Sequence, residues 1–177
     1  MGVDRTTFMR EKVSLGFEPW FAWRTLLMTH VASAVIAMIA GSVSLILGVL
    51  QTRMAVHRLA GRIYVIAVFI SGFSAVPLTF TATGGILAIL GFLLLNHVWL
   101  KITIMSYRAA RKRDIAAHQK WVAWSYAITF ANMSVHILTT ALTGVFNNHA
   151  VAYTVAIWIG WPINVAIAEA WRRTSWR

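Results

Sequence analysis

Long apolar runs alternate with short polar breaks along the whole chain. Each run has about twenty residues or more, which is enough to cross roughly 30 Å of hydrocarbon at about 1.5 Å per residue. Neighbouring runs are too close together for a soluble domain to fit between them. The pattern therefore predicts five transmembrane α-helices, at about residues 25–50, 60–82, 85–106, 121–144 and 150–170.

The four breaks between these spans are of two kinds. Residues 53–64 and 118–126 each combine a histidine, a basic residue and a tyrosine at the beginning of an apolar run. The other two, residues 81–85 and 147–149, are short stretches rich in glycine, threonine or asparagine, which is typical of turns. We therefore expect tight hairpins between spans two and three and between spans four and five. The two charged breaks connect the remaining neighbours.

Composition agrees with a membrane protein. Apolar residues make up 59% of the chain and charged residues 12%, whereas soluble domains carry about 25% charged residues. The absence of cysteine excludes disulfides and thiolate chemistry. We predict an all-α integral membrane protein with three parts: an extracytoplasmic tail with an interfacial aromatic anchor (1–24), a single transmembrane helical bundle (25–171) and a basic cytoplasmic tail (172–177).

The distribution of basic residues predicts the orientation. Twelve of the sixteen Lys and Arg residues fall in or near the two charged breaks and the C-terminus, on one side of the predicted bundle. The positive-inside rule places this side in the cytoplasm, with the N-terminus outside. The same rule accounts for the net charge of +11 through topology and contacts with the lipid bilayer, so no nucleic acid partner is expected.

Several short motifs carry a resemblance to a known family. They are His30, His57-Arg-Leu-Ala-Gly-Arg-Ile-Tyr64, Asp114-Ile-Ala-Ala-His-Gln-Lys-Trp121, Ser125-Tyr-Ala-Ile-Thr-Phe130, Trp161-Pro-Ile-Asn164 and Ala168-Glu169. They resemble a bacterial family of predicted membrane proteins, domain of unknown function 2306, over about residues 25–170. The chain departs from the family at Gln119, where an arginine is usual, and near His136. The resemblance implies a multi-span helical protein of the bacterial inner membrane, without an established reaction.

Histidines are the candidate functional groups, because ionisable side chains within a membrane are costly and usually mark a site. His30 and His136 lie about seven and eight residues inside the outer ends of their spans, depths that agree to about 2 Å. His57 and His118 both lie at the cytoplasmic boundary, and His97 lies near the middle of span three.

Two histidines at equal depth on different helices are what bis-imidazole ligation of a b-type haem requires. On this hypothesis the first pair binds an outer haem and the second pair an inner one, with arginines and Lys120 pairing with the propionates. The candidate metal ligands are His30, His136, His57 and His118, and the other candidate cofactor-binding residues are His97, Arg58 and Arg62. The same geometry would also suit a chlorophyll magnesium, which needs one histidine. The structural alternative is an interfacial or interhelical hydrogen bond.

Two functional hypotheses follow, and a stand-alone enzyme is not favoured. The leading one is a small membrane electron carrier that exchanges electrons with quinone or a partner protein. The alternative is a non-catalytic accessory or assembly subunit of a larger membrane complex, which the tryptophans of span five, Trp158 and Trp161, would contact. The chain has only five acidic residues and none of the hydrolase, zinc-protease or phosphate-loop motifs, so hydrolytic chemistry is not expected.

The predicted orientation can be tested by cysteine labelling, because the chain has no native cysteine. A membrane-impermeant thiol reagent added from outside should label Asn148→Cys, in the predicted outer turn, and should not label Arg111→Cys. Labelling of Arg111→Cys and protection of Asn148→Cys in intact cells would reverse the assigned orientation.

Overall fold

The computed structural model describes residues 20–175, which form six α-helices. They are α1 (Trp20–Val49), α2 (Met54–Thr79), α3 (Gly85–Arg111), α4 (Ile115–Thr129), α5 (Ala131–Phe146) and α6 (His149–Ser175). Four of them, α1, α2, α3 and α6, are long and apolar enough to span a membrane, and α4 with α5 passes the same test as one bent span. This confirms the all-α membrane bundle. Most of the predicted N-terminal tail lies outside the described residues.

The two helices that follow the charged breaks begin before the apolar runs do. Helix α2 begins at Met54 and α4 at Ile115, about six residues before the predicted spans. Hydropathy marks where the chain enters hydrocarbon, whereas a helix can start in water if its first N–H groups are satisfied. At α4 the Asp114 carboxylate does this by accepting a hydrogen bond of 3.0 Å from the Ala117 N–H. The histidines of both charged breaks therefore lie in first helical turns.

The fourth span is broken at Phe130, between α4 and α5, with a bend of 46°. Neither proline nor glycine occurs between Tyr126 and Ser134, so the sequence gives no sign of this break. Asn164 of α6 bridges it. Its Nδ2 donates to the carbonyl of Ala127 at 3.2 Å, and its Oδ1 accepts from the Ser134 hydroxyl at 2.9 Å. One side chain thus binds the last turn of α4 and the first turn of α5 within the membrane.

Packing joins three helical hairpins. Helix α1 packs on α2, α3 on α4, and α5 on α6, while α2 with α3 and α4 with α6 connect the hairpins. Small side chains lie inside and large aliphatic ones outside, as expected where the solvent is lipid. Ala37 and Ala156 are fully buried, whereas Ile39 and Ile66 are about 60% exposed.

Glycines on α1 allow two particularly close approaches. A Cβ atom at Gly41 would lie 2.5 Å from the Tyr126 ring of α4 and 3.0 Å from the Tyr64 ring of α2. A Cβ at Gly48 would lie 3.0 Å from the imidazole of His57. The small-residue face of span one therefore admits side chains from α2 and α4.

We expect Gly41→Ala to destabilise the bundle by about 1–3 kcal/mol, the usual cost of overpacking a core. Gly144→Ala is the matched control, because no atom lies within 4 Å of a Cβ at that helical glycine. Its melting temperature in detergent should stay equal to or slightly above that of wild type, since alanine favours the helix. Equal melting temperatures for Gly41→Ala and wild type would contradict close packing at Gly41.

Candidate functional site

A cavity of about 440 Å³ lies between α1, α2, α3 and α4, at the end of the bundle that carries the two charged breaks. This volume is within the range of about 300–1,000 Å³ that is typical of small-molecule sites. The lining residues are Gly41 and Ser44 of α1, His57, Arg58, Gly61, Arg62, Tyr64 and Val65 of α2, Ser106, Tyr107, Ala110 and Arg111 of α3, the connecting Arg113, and His118, Val122 and Tyr126 of α4.

Two of the predicted histidines meet at this cavity. The ring centroids of His57 and His118 are 6.4 Å apart, and the ring planes are nearly perpendicular, at 84°. Both side chains are partly buried. The first turns of α2 and α4 thus present two imidazoles to the same space from opposite hairpins.

The two histidines are held by the same kind of hydrogen bond. His57 Nδ1 lies 2.8 Å from the carbonyl oxygen of Ser44, and His118 Nδ1 lies 3.1 Å from that of Ser106. A carbonyl can only accept, so each Nδ1 carries the proton and donates it. The neutral imidazole then keeps a lone pair on Nε2. Within residues 20–175, neither Nε2 has a hydrogen-bond partner.

The cavity is strongly basic. Four arginines line it: Arg58, Arg62, Arg111 and Arg113. The part of the chain that the structure describes contains two acidic residues, Asp114 and Glu169. The Asp114 carboxylate caps α4, and Glu169 forms ion pairs with Arg172 and Arg173 at 2.8 and 2.7 Å, as expected from their spacing. Among these residues no carboxylate neutralises the cavity arginines, so the cavity suits a ligand with anionic groups.

Hydrogen-bonded tyrosines form the inner wall of the cavity. The Tyr64 hydroxyl is buried, 2.7 Å from the Ser125 hydroxyl and 3.0 Å from that of Thr129, and so ties α2 to α4. The Tyr126 hydroxyl donates to the Met38 carbonyl of α1 at 3.2 Å. The two tyrosine rings are in edge contact, 6.3 Å apart. These bonds hold α4, and with it His118, at a defined distance from α1 and α2.

The other predicted residues lie elsewhere. His30 Nδ1 is 3.0 Å from the Ser71 carbonyl oxygen of α2, whereas His136 is exposed on α5. Helix α1 packs on α2 and α4, and no ring contact joins His30 to His136 in the described residues. His97 is exposed on α3. The structure therefore brings together the expected inner pair and leaves the expected outer pair apart.

Part of the basic lining does not follow from the sequence. Arg111 and Arg113, which the sequence explains by topology alone, line the same cavity as Arg58 and Arg62. Lys120 was expected at the propionates. Lys120 is not among the lining residues; its Nζ lies 4.9 and 4.8 Å from the centroids of two tryptophan rings on α4. The shortness of the charged breaks could have predicted this lining, because a short connection keeps its basic residues close to the histidines.

Comparison with known proteins agrees with this architecture. No curated protein and no solved structure matches the chain. Residues 27–172 match a family described as predicted membrane protein (DUF2306), and this range includes all of the cavity-lining residues. Because the match covers most of its length, the chain belongs to the DUF2306 family of predicted membrane proteins.

Proposed function

We propose that the protein is a small membrane electron carrier that binds one b-type haem between His57 and His118. The observation that carries this proposal is the 6.4 Å separation of two imidazole rings whose Nε2 atoms are unpartnered among the described residues. Metal–imidazole bonds are about 2 Å long. Two imidazoles on opposite sides of one metal ion therefore hold their ring centroids about 6 Å apart.

The hydrogen bonds of the two histidines support ligation. Metal-binding histidines usually donate their other N–H to a carbonyl or carboxylate, which orients the ring and raises the basicity of the ligating nitrogen. The bonds from His57 to Ser44 and from His118 to Ser106 have this form. Gly48 leaves space for the His57 ring in its orientation.

The basic residues of the cavity suit the propionates of a haem. Arg58 and Arg62 are four residues apart on α2, and Arg111 and Arg113 line the other side of the cavity. Guanidinium–carboxylate bonds are charge-assisted and geometrically specific. Haem would supply one-electron redox chemistry, and the protein residues would set its position, its charge environment and its access to water.

The proposal is for one haem rather than for two stacked across the membrane. His136 is exposed on α5, and no ring contact joins it to His30 within the described residues, so the structure does not pair the ligands for an outer haem. Two imidazoles beside one cavity also favour haem, which both histidines would hold, over a chlorophyll magnesium, which needs one histidine. The helices support a multi-pass membrane location, and we propose the bacterial inner membrane as that location.

The proposal predicts the spectrum of the purified protein. Wild type expressed with ample haem should show a reduced-minus-oxidised spectrum of b-type haem, with one haem per chain. His57→Ala and His118→Ala should each lose it, because both axial bonds are required. His30→Ala, His97→Ala and His136→Ala are matched controls and should keep the spectrum of wild type.

Rescue distinguishes ligation from a structural role of the histidines. Imidazole added to His118→Gly should restore the haem spectrum, since free imidazole can occupy the space of the missing ring. A folded but colourless wild type would contradict haem binding, and the accessory-subunit hypothesis would then be the better one. Loss of haem in His30→Ala or His136→Ala, with His57→Ala unaffected, would assign the ligands to the other pair.

A further inference from the structure

A second concave surface lies at the break in the fourth span. It is an open groove of about 300 Å³ between the α4–α5 break and α6. Its lining residues are Ala127, Phe130, Ser134, Asn164, Ile167, Ala168 and Trp171. The groove, defined by these residues, has aromatic and aliphatic walls around one polar pair, Ser134 and Asn164. Its shape and composition suit a flat apolar ligand with a polar group.

The polar pair retains hydrogen-bonding capacity. An asparagine amide has two N–H donors, and one of those of Asn164 is bonded to the Ala127 carbonyl. The Ser134 hydroxyl donates to Asn164 Oδ1 and keeps lone pairs that can accept. The groove therefore offers one donor and one acceptor side by side. An unmet polar group is costly in hydrocarbon, so a ligand that completes both bonds would be favoured.

An aromatic contact links the groove to the cavity. Tyr126 lines the cavity and Phe130 lines the groove. Their rings are in edge contact, with centroids 5.1 Å apart and an interplanar angle of 87°. The two concave surfaces are therefore separated by one pair of touching rings on consecutive turns of the same span.

We propose that the groove binds the head group of a lipid-soluble quinone. The spare Asn164 N–H would donate to a quinone carbonyl, and Ser134 would accept from the hydroxyl of the reduced form. A quinone would reach this open groove by lateral diffusion in the bilayer, and its flat ring would pack against the aromatic lining residues Phe130 and Trp171. Electron exchange with the cavity rests on the proposed function. Oxidation of one bound quinol to the quinone would release two protons to water and two electrons, passed one at a time to the haem, which an electron-accepting partner protein would reoxidise after each transfer.

Binding of a short-chain benzoquinone and of its reduced quinol to the detergent-solubilised protein tests the site directly, by calorimetry. Ser134→Ala removes the acceptor together with the Ser134–Asn164 bond to α5, and it leaves the bond of Asn164 to Ala127 of α4. We expect its affinity for the quinol, whose hydroxyl would donate to Ser134, to fall about threefold to tenfold, the range for one lost hydrogen bond. Ala168→Phe fills the groove and should abolish binding. Asn132→Leu, at an exposed polar residue of α5 outside the groove, should bind as wild type does.

The outcomes separate this inference from the haem proposal. Quinone binding that Ala168→Phe abolishes supports the groove whether or not the protein contains haem, and His57→Ala should bind quinone normally. If wild type binds no quinone, or if Ser134→Ala and Ala168→Phe both bind it as wild type does, the groove is not the site. In the haem-loaded protein, Ala168→Phe should also slow haem reduction by quinol while leaving the haem spectrum unchanged.

Discussion

The structure depends on one constraint: polar groups that enter the hydrocarbon must find partners within the protein. The break in the fourth span is tolerated because Asn164 binds both sides of it. The buried Tyr64 hydroxyl is satisfied by Ser125 and Thr129. The same requirement fixes the functional candidates, because a histidine that donates Nδ1–H to a carbonyl has a defined tautomer and a defined ring orientation. In each of these histidines, the bond that satisfies Nδ1 within the protein also leaves the lone pair of Nε2 available for a ligand.

The cavity lies between two helical hairpins, and each hairpin holds its histidine by the same kind of hydrogen bond. In α1–α2 the bond runs from His57 back to Ser44, and in α3–α4 from His118 back to Ser106, over 13 and 12 residues respectively. Each hairpin contributes one histidine to the cavity lining. Close packing of α1 at Gly41 and the hydroxyl bonds of α4 bring the two hairpins together. Cofactor binding, on this proposal, would depend on interhelical packing more than on any single loop.

Hydropathy was sufficient to predict the all-α membrane bundle with its long apolar helices and to place His57 and His118 at the same end of it, because depth in a membrane increases linearly along a helix. It could not predict azimuth, which depends on packing. His30 and His136 share a depth, yet one faces α2 and the other is exposed. The proximity of His57 and His118 was easier to predict. Both follow short connections, which place them at one end of the bundle whatever the rotation of each helix about its axis. The break at Phe130 was invisible, because its stabilising residue, Asn164, is distant in sequence.

A single haem near one face cannot by itself carry electrons across a bilayer, so its position matters for the proposed role. On these two proposals the groove would extend the redox path into the lipid phase, where a mobile quinone would take the place of a second haem as the electron carrier. The charge distribution is consistent with this. Four cavity arginines would leave net positive charge after pairing with two propionates, and positive charge near a buried cofactor stabilises the added electron. The proposed haem site would therefore favour the acceptance of electrons from quinol. The basic residues at this surface would suit an acidic partner protein that accepts the electrons from the haem.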